Sequence, residues 1–152
     1  MTAEPDEDRA DRADRRTHMN QLFSHSIEVR FRDCDPLGHV NNAAYLTYLE
    51  QARLFYWRSL WDFGGEAAAA LPGVIMARAE IDYKRAAKYG QVLDVRILAG
   101  PIGRTSFTYD YVIADEAGET VAAARTVQVM YDYAASKPVP IPDEIRARMT
   151  NT

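Results

Sequence analysis

The chain has 152 residues and a mass of 17.2 kDa, the size of one domain that buries a core without metal or disulfide crosslinks. A content of 47% hydrophobic and 26% charged residues excludes a fibrous or wholly disordered protein. The net charge of -4 argues against a broad nucleic-acid-binding surface, and a single cysteine excludes an internal disulfide. With no apolar leader at the start, we expect a cytoplasmic protein that does not enter membranes.

Three segments differ in their composition. Residues 1–20 alternate acidic and basic side chains without Leu, Ile, Val, Phe, Tyr or Trp, which predicts a disordered tail, a helix held by charge pairs being the alternative. Residues 21–135 carry the periodic apolar patterns of a folded domain. Residues 136–152 form a proline-rich extension, in which 143–149 could add one or two helical turns.

The folded domain opens with a strand that leads into a long helix. Apolar residues alternate with charged ones at the period of a half-buried strand: Ile27, Val29 and Phe31. Pro36 lacks a backbone donor and Gly38 favours a turn, so the strand ends there and a helix follows as far as Gly64. Few polar residues interrupt the apolar positions of the helix, and we expect other structure to cover it on most sides.

The remainder predicts four more strands, near residues 74–83, 92–99, 105–113 and 121–131. The turns at 100–103 and 115–118 are short enough to join antiparallel neighbours, which indicates a meander. One strand, one buried helix and four further strands predict an α+β fold, with a five-stranded antiparallel sheet wrapped around the helix.

The segment with the most chemical information is FRDCDPLGHVNNAAYLTYLEQAR, residues 31–53. Its aspartate, the glycine three residues later, the asparagine pair and the Tyr-x-x-Tyr helix start resemble the signature of hotdog-fold acyl-CoA thioesterases of the 4-hydroxybenzoyl-CoA thioesterase type. The order of elements agrees over residues 24–133. The resemblance implies a hotdog domain that hydrolyses small or medium acyl-CoA, aliphatic or aromatic. It also implies a homodimer or homotetramer with no metal and no cofactor beyond the coenzyme A of the substrate.

The same resemblance places the catalytic carboxylate of the family at Asp35, with Gly38 as its paired glycine and Asp33 as a neighbour. A carboxylate beside the free N–H groups of a helix start could act where negative charge develops on a thioester oxygen. Asp35 could attack the carbonyl carbon or activate water, and the sequence leaves both routes open. The alternative is an aspartate that only caps the helix.

Further candidates surround Asp35. His39 resembles the catalytic histidine of plant acyl-carrier-protein thioesterases, but Leu37 stands where those enzymes have asparagine, so we expect His39 to orient Asp35 or water, or to be structural. Asn42 is either a helix cap or a substrate contact. Cys34 is a rival nucleophile that strand alternation turns away from the aspartates.

The residues expected to contact substrate are Gly38, Val40, Asn41 and Tyr45 near the turn, and Lys84, Arg85 and Arg104 for the phosphates of coenzyme A. Each cation could equally be a solvated surface charge. Two other functions compete: a hotdog hydratase or dehydratase, whose histidine motif is not evident, and a non-catalytic binder of acyl-CoA or acyl-carrier protein.

Overall fold

The computed structural model describes residues 23–60 and 73–150, so the predicted tail and the end of the long helix lie outside the described residues. The elements in chain order are β1 (Phe23–Glu28), a 3-10 helix (Phe31–Asp33), α1 (Asn42–Leu60), β2 (Gly73–Tyr83), β3 (Val92–Ile102), β4 (Ser106–Ala114), β5 (Thr120–Asp132), β6 (Lys137–Pro138) and α2 (Asp143–Thr150). The predicted α+β class is confirmed. None of the described helices combines the length and apolarity that a membrane crossing needs.

The strands form one antiparallel sheet in the order β1-β3-β4-β5-β2, and β6 pairs antiparallel with the end of β5. The sheet therefore has six strands, because the two-residue β6 adds to the five predicted. The predicted meander holds for β3, β4 and β5, whereas β2 lies at the far edge beside β5. The link between β2 and β3 is too long for a hairpin turn. It crosses from the start of β5, where Lys84 N–H donates to Val121, to β1, where Val29 N–H donates to Gln91.

The first strand ends earlier than its apolar pattern predicts. Phe31 lies in the 3-10 helix and is 80% exposed, with its ring centroid 5.9 Å from that of Tyr89. The cause is local, because Asp33 N–H donates to the carbonyl of Arg30 while the Asp33 carboxylate accepts the N–H of Arg30. These bonds close a helical turn in place of extended backbone.

Helix α1 packs on the sheet along one side, through Tyr45, Tyr48, Leu49, Ala52, Tyr56 and Leu60. The expectation that it is covered on most sides is wrong for the single chain, since Leu46, Glu50 and Leu54 on its other side are exposed. The sheet supplies inward residues at alternate positions, among them Leu93, Val95, Ile97, Phe107, Tyr109 and Tyr111. The helix thus has one face in the core and one apolar face in solvent.

Candidate functional site

Asp35 stands at the first position of a tight turn. The N–H of Gly38 donates to the carbonyl of Asp35 at 3.0 Å, and the N–H of Asp35 donates to the carbonyl of His39 at 2.8 Å. Pro36 suits the second position because its φ is fixed, and Gly38 has a φ of 81°, which other residues adopt only with strain. The Asp-Pro-Leu-Gly sequence therefore specifies the backbone that carries the carboxylate.

The carboxylate of Asp35 is held by this turn itself. Its Oδ1 accepts the N–H of Leu37 at 2.9 Å and the N–H of His39 at 3.4 Å. Its Oδ2 has no hydrogen-bond partner among the described residues. The turn is also fixed to its surroundings, since Val40 N–H donates to the carbonyl of Ala87 at 2.8 Å. One oxygen of a positioned, half-buried carboxylate therefore remains available for chemistry.

The start of α1 is capped by Asn41. Its Oδ1 accepts the N–H of Ala43 at 2.9 Å and its carbonyl accepts the N–H of Ala44 at 2.9 Å. The cap is thus Asn41, which the sequence offered together with Asn42, and it is neither Asn42 nor Asp35. The exposed N–H of Asn42 has no acceptor in the part of the chain that the structure describes. It is a free donor at a helix N-terminus, the type of group that stabilises an oxyanion.

A cleft of about 380 Å³ brings several of the predicted residues together. It is lined by Asp35, His39, Val40, Asn42, Tyr45, Tyr83, Lys84, Arg85 and Ala86. The turn and the first turn of α1 thus face the basic segment that follows β2. Sequence reasoning missed Tyr83, whose hydroxyl donates to the carbonyl of Asn42 at 3.1 Å and whose ring packs on Tyr45 at 5.2 Å. Its place directly before Lys84 was the available signal.

Three of the residues predicted to contact substrate do not line the cleft. Gly38 shapes the turn and Asn41 caps the helix, so both build the site without lining the cleft. Arg104 lies in the β3–β4 turn, where its carbonyl accepts the N–H of Ile141 at 2.8 Å, and it does not line the cleft of its own chain.

The two cations of the cleft are anchored through their backbone. The N–H groups of Lys84 and Arg85 both donate to the carbonyl of Val121, at 2.8 and 3.0 Å. The Arg85 guanidinium lies 3.3 Å from Glu119 in an exposed ion pair, a contact that contributes little to stability. The Lys84 ammonium has no ion-pair partner among the described residues. Both residues therefore line the cleft on fixed backbone.

Asp33 has different surroundings from Asp35. It is buried, and its Oδ2 accepts the hydroxyl of Tyr48 at 2.8 Å and the N–H of Arg30 at 3.0 Å. Burial raises the pKa of Asp33, but these hydrogen bonds and the Arg30 charge outweigh burial and hold the pKa below its usual value. Asp33 is therefore a structural acid. Between the two acids, the half-buried Cys34 Sγ lies 3.9 Å from the carbonyl of Arg30.

A second and larger cavity, which sequence reasoning missed, lies between α1 and the start of β2. This groove measures about 620 Å³ and is lined by Leu46, Thr47, Glu50, Arg53, Leu54, Trp57, Val74, Ile75, Met76 and Gln128. Between Met76 in the groove and Tyr83 in the cleft, β2 advances about 23 Å at roughly 3.3 Å per residue. No three His, Cys, Asp or Glu side chains among the described residues are grouped so as to hold a metal ion.

Comparison with known proteins identifies the family. The model of the thioesterase-like superfamily matches residues 29–149. The chain belongs to this superfamily. The resemblance of residues 31–53 to hotdog thioesterases is therefore confirmed, and the protein is a thioester hydrolase.

Two solved structures and one further relative resemble this chain over most of its length. A *Thermus thermophilus* thioesterase complexed with coenzyme A and zinc is 34% identical, with 84% of this chain and 91% of that chain covered and a TM-score of 0.73. A predicted thioesterase from *Bacillus stearothermophilus* is 28% identical, with 86% and 95% covered and a TM-score of 0.76. A 1,4-dihydroxy-2-naphthoyl-CoA hydrolase from *Synechococcus elongatus* is 27% identical over 123 residues, covering 78% of this chain and 88% of that protein. The predicted hotdog fold is thus confirmed.

Proposed function

We propose that this thioesterase hydrolyses acyl-CoA at the cleft around Asp35. The observation that carries the proposal is the carboxylate itself, with Oδ1 fixed by two backbone N–H groups and Oδ2 left without a partner among the described residues. The *Thermus* relative was solved with coenzyme A, and the *Synechococcus* relative is named for an acyl-CoA substrate. Both support coenzyme A as the carrier of the acyl group.

The chemistry follows from the groups that line the cleft. Asp35 Oδ2 either attacks the thioester carbon, giving an anhydride that water then hydrolyses, or removes a proton from the attacking water. In both routes negative charge develops on the carbonyl oxygen, and the free N–H of Asn42 is the donor offered to it. The bond to sulfur then breaks and coenzyme A leaves as the thiolate. The backbone N–H of His39 donates to Asp35 Oδ1 and helps to position the carboxylate.

Lys84 and Arg85 are suited to the phosphates of coenzyme A. They lie in the same cleft as Asp35, and their backbone is fixed at the start of β5. Cations on fixed backbone bind phosphate at a smaller entropic cost than cations on a mobile loop, because the backbone does not have to be ordered on binding. Arg104 enters this proposal only if a second chain brings it near the phosphates.

The assembly we propose is a homodimer or a dimer of dimers. The edge strand β2 has an unpaired backbone side, and Val74 and Met76 on it are exposed beside the exposed face of α1. In the proposed dimer, β2 of one subunit pairs antiparallel with β2 of the other, and the two-fold axis passes near Arg78 in the middle of the strand. The start of each β2 then lies beside the end of its partner. The groove of one subunit would then adjoin the cleft of its partner. Such a pairing places the partner beside the exposed side of α1, so that an acyl group in the groove would lie between the two subunits.

The acyl group we propose is small or medium in size and either aliphatic or aromatic. The groove offers about 620 Å³ with apolar walls, which suits such a group. The test is release of thiol from a panel of acetyl-, hexanoyl-, decanoyl- and benzoyl-CoA, followed with a thiol reagent. Turnover of at least one thioester that Asp35→Asn abolishes is expected. Turnover unchanged in Asp35→Asn would refute the site, and no release from any acyl-CoA would refute the substrate class.

A further inference from the structure

Gln128, which lines the groove, carries a buried polar atom without a partner in the part of the chain that the structure describes. Its side chain is 1% exposed, and Nε2 donates to Thr126 Oγ1 at 2.5 Å. Its Oε1 is the buried side-chain atom that has no hydrogen-bond partner among the described residues. Leaving a buried acceptor unpaired is costly, and native proteins keep few of them. An acceptor in this position therefore needs a partner other than the described residues.

Gln128 belongs to a row of side chains joined by hydrogen bonds beneath α1. Arg53 Nη1 donates to the hydroxyl oxygen of Tyr111 at 3.3 Å, and the hydroxyl of Thr126 lies 3.1 Å from the same oxygen. Thr126 Oγ1 in turn accepts from Gln128 Nε2. In this arrangement Nε2 of Gln128 is paired within the described residues and Oε1 is not.

The groove around this acceptor is largely apolar. Its walls include Leu46, Leu54, Trp57, Val74 and Met76. An apolar group placed there buries its surface against them but leaves Oε1 unpaired unless the ligand also carries a donor. Sites built with a buried hydrogen-bonding group discriminate strongly against analogues that lack the matching group.

We propose that Gln128 determines substrate specificity by accepting a hydrogen bond from a hydroxyl on the acyl group. This inference rests on the proposed function, because it places the acyl part of acyl-CoA in the groove. The preferred substrates are then apolar acyl groups with one hydroxyl far from the thioester, and the matching deoxy compounds bind more weakly. A trapped water would satisfy Oε1 equally well, and the experiment separates the two cases.

The experiment measures binding, so it does not depend on turnover. Asp35→Asn serves as the parent, to keep thioesters intact, and calorimetry gives dissociation constants for matched pairs. The probes are the three hydroxybenzoyl-CoA isomers against benzoyl-CoA, and 6-hydroxyhexanoyl-CoA against hexanoyl-CoA. Gln128→Met removes the acceptor at similar volume. Met130→Leu is the matched control, since Met130 is the next inward-facing residue of β5 and is equally buried.

At least one hydroxylated probe should bind the parent about tenfold or more tightly than its deoxy partner. Gln128→Met should lose this preference and Met130→Leu should keep it. The proposal is overturned if no pair differs in the parent, which would assign Oε1 to water, or if the preference survives in Gln128→Met. If Gln128→Met does not fold, the comparison of hydroxylated and deoxy probes on the Asp35→Asn parent decides the question alone. Failure of the thiol-release panel together with a hydroxyl preference here would refute hydrolysis and leave the binding inference standing.

Discussion

The hydroxyl of Tyr48 donates a 2.8 Å hydrogen bond to Oδ2 of Asp33. This bond fixes the acid that precedes the proposed catalytic residue to the buried face of α1. The 3-10 helix is thereby held in place, and the chain enters the turn of Asp35 from a fixed point. Two acids two residues apart thus have separate tasks, which substitutions can distinguish.

Asp35→Asn should abolish most activity while the fold survives. The substitution keeps the volume and an acceptor for the N–H of Leu37, but it removes the negative charge that a nucleophile or base requires. We expect kcat to fall by about 10²- to 10⁴-fold, the usual cost of removing a general base. Thiol release and thermal unfolding of the same preparation provide the measurement.

Asp33→Asn is the matched control. It removes the same charge from a buried network, so we expect the free energy of unfolding to fall by about 1–3 kcal/mol, with kcat per folded molecule close to that of the parent. Equal activity in the two variants, or a larger loss of kcat in Asp33→Asn, would show that Asp35 is not the reacting carboxylate.

Acid unfolding should depend on Asp33. Because its folded-state pKa lies below the unfolded value, its charge stabilises the fold above that value, and this contribution is lost as the pH falls through the folded pKa. Urea unfolding from about pH 5 downward should therefore show a shallower loss of stability in Asp33→Asn than in the parent. A residual slope is expected from Asp94: burial raises the pKa of Asp94, but hydrogen bonds from Ser24 and Arg96 hold it below its usual value. Parallel curves for both proteins would contradict the prediction.

Removing the charge of Lys84 should weaken binding of the carrier without slowing chemistry. If this ammonium holds a coenzyme A phosphate, Lys84→Ala should raise KM with little change in kcat, as expected for a contact made equally in the ground and transition states. Acyl-pantetheine substrates, which lack the phosphates of the nucleotide, should be insensitive. Arg104→Ala is the comparison, since Arg104 lies outside the cleft of its own chain: an unchanged KM keeps Arg104 out of the phosphate site, and a raised KM places it there from a second chain. The same loss with acyl-pantetheine would make Lys84 structural.

The exposed face of α1 and the β2 edge should form the subunit interface. Met76→Glu places a charge on this surface, and we expect light scattering at micromolar concentration to show a shift from dimer to monomer. Val112→Glu is the control, because Val112 on the outer face of β4 is 38% exposed and Met76 is 41% exposed. A monomeric mass for the unaltered protein would refute the assembly, and a monomeric Val112→Glu would place the interface on the other face of the sheet.

Much of this fold could be predicted from local patterns in the sequence. The strands and α1 follow hydrophobic periodicity, and the Asp35 turn follows from the residue preferences of its positions. The end of β1 could not be read in this way, because hydrophobic periodicity does not include the hydrogen bonds of Asp33 to Arg30 and Tyr48 that hold the 3-10 helix. The place of β2 at the far edge could not be predicted either. It depends on the segment between β2 and β3, which crosses the sheet from β5 to the strand at the opposite edge.

The orientation of β5 shows why the groove was missed. By hydrophobicity Val127 and Val129 would face the core, yet Thr126 and Gln128 are the buried residues. Register decides this, because Thr126 lies opposite Tyr109 and Gln128 opposite Phe107, both of which face inward. The pairing of β5 with β4 outweighed the preference of valine for the core. It placed the polar residues Thr126 and Gln128 under α1.

The capping of α1 by Asn41 separates folding from reactivity at position 35. Since the helix start and the turn glycine do not depend on an acid there, a descendant that lost the carboxylate would keep the same shape and could still hold a thioester. Selection for stability alone would not preserve Asp35. Among proteins of this architecture, a hydrolase and a silent carrier of acyl groups could therefore differ by a single side chain.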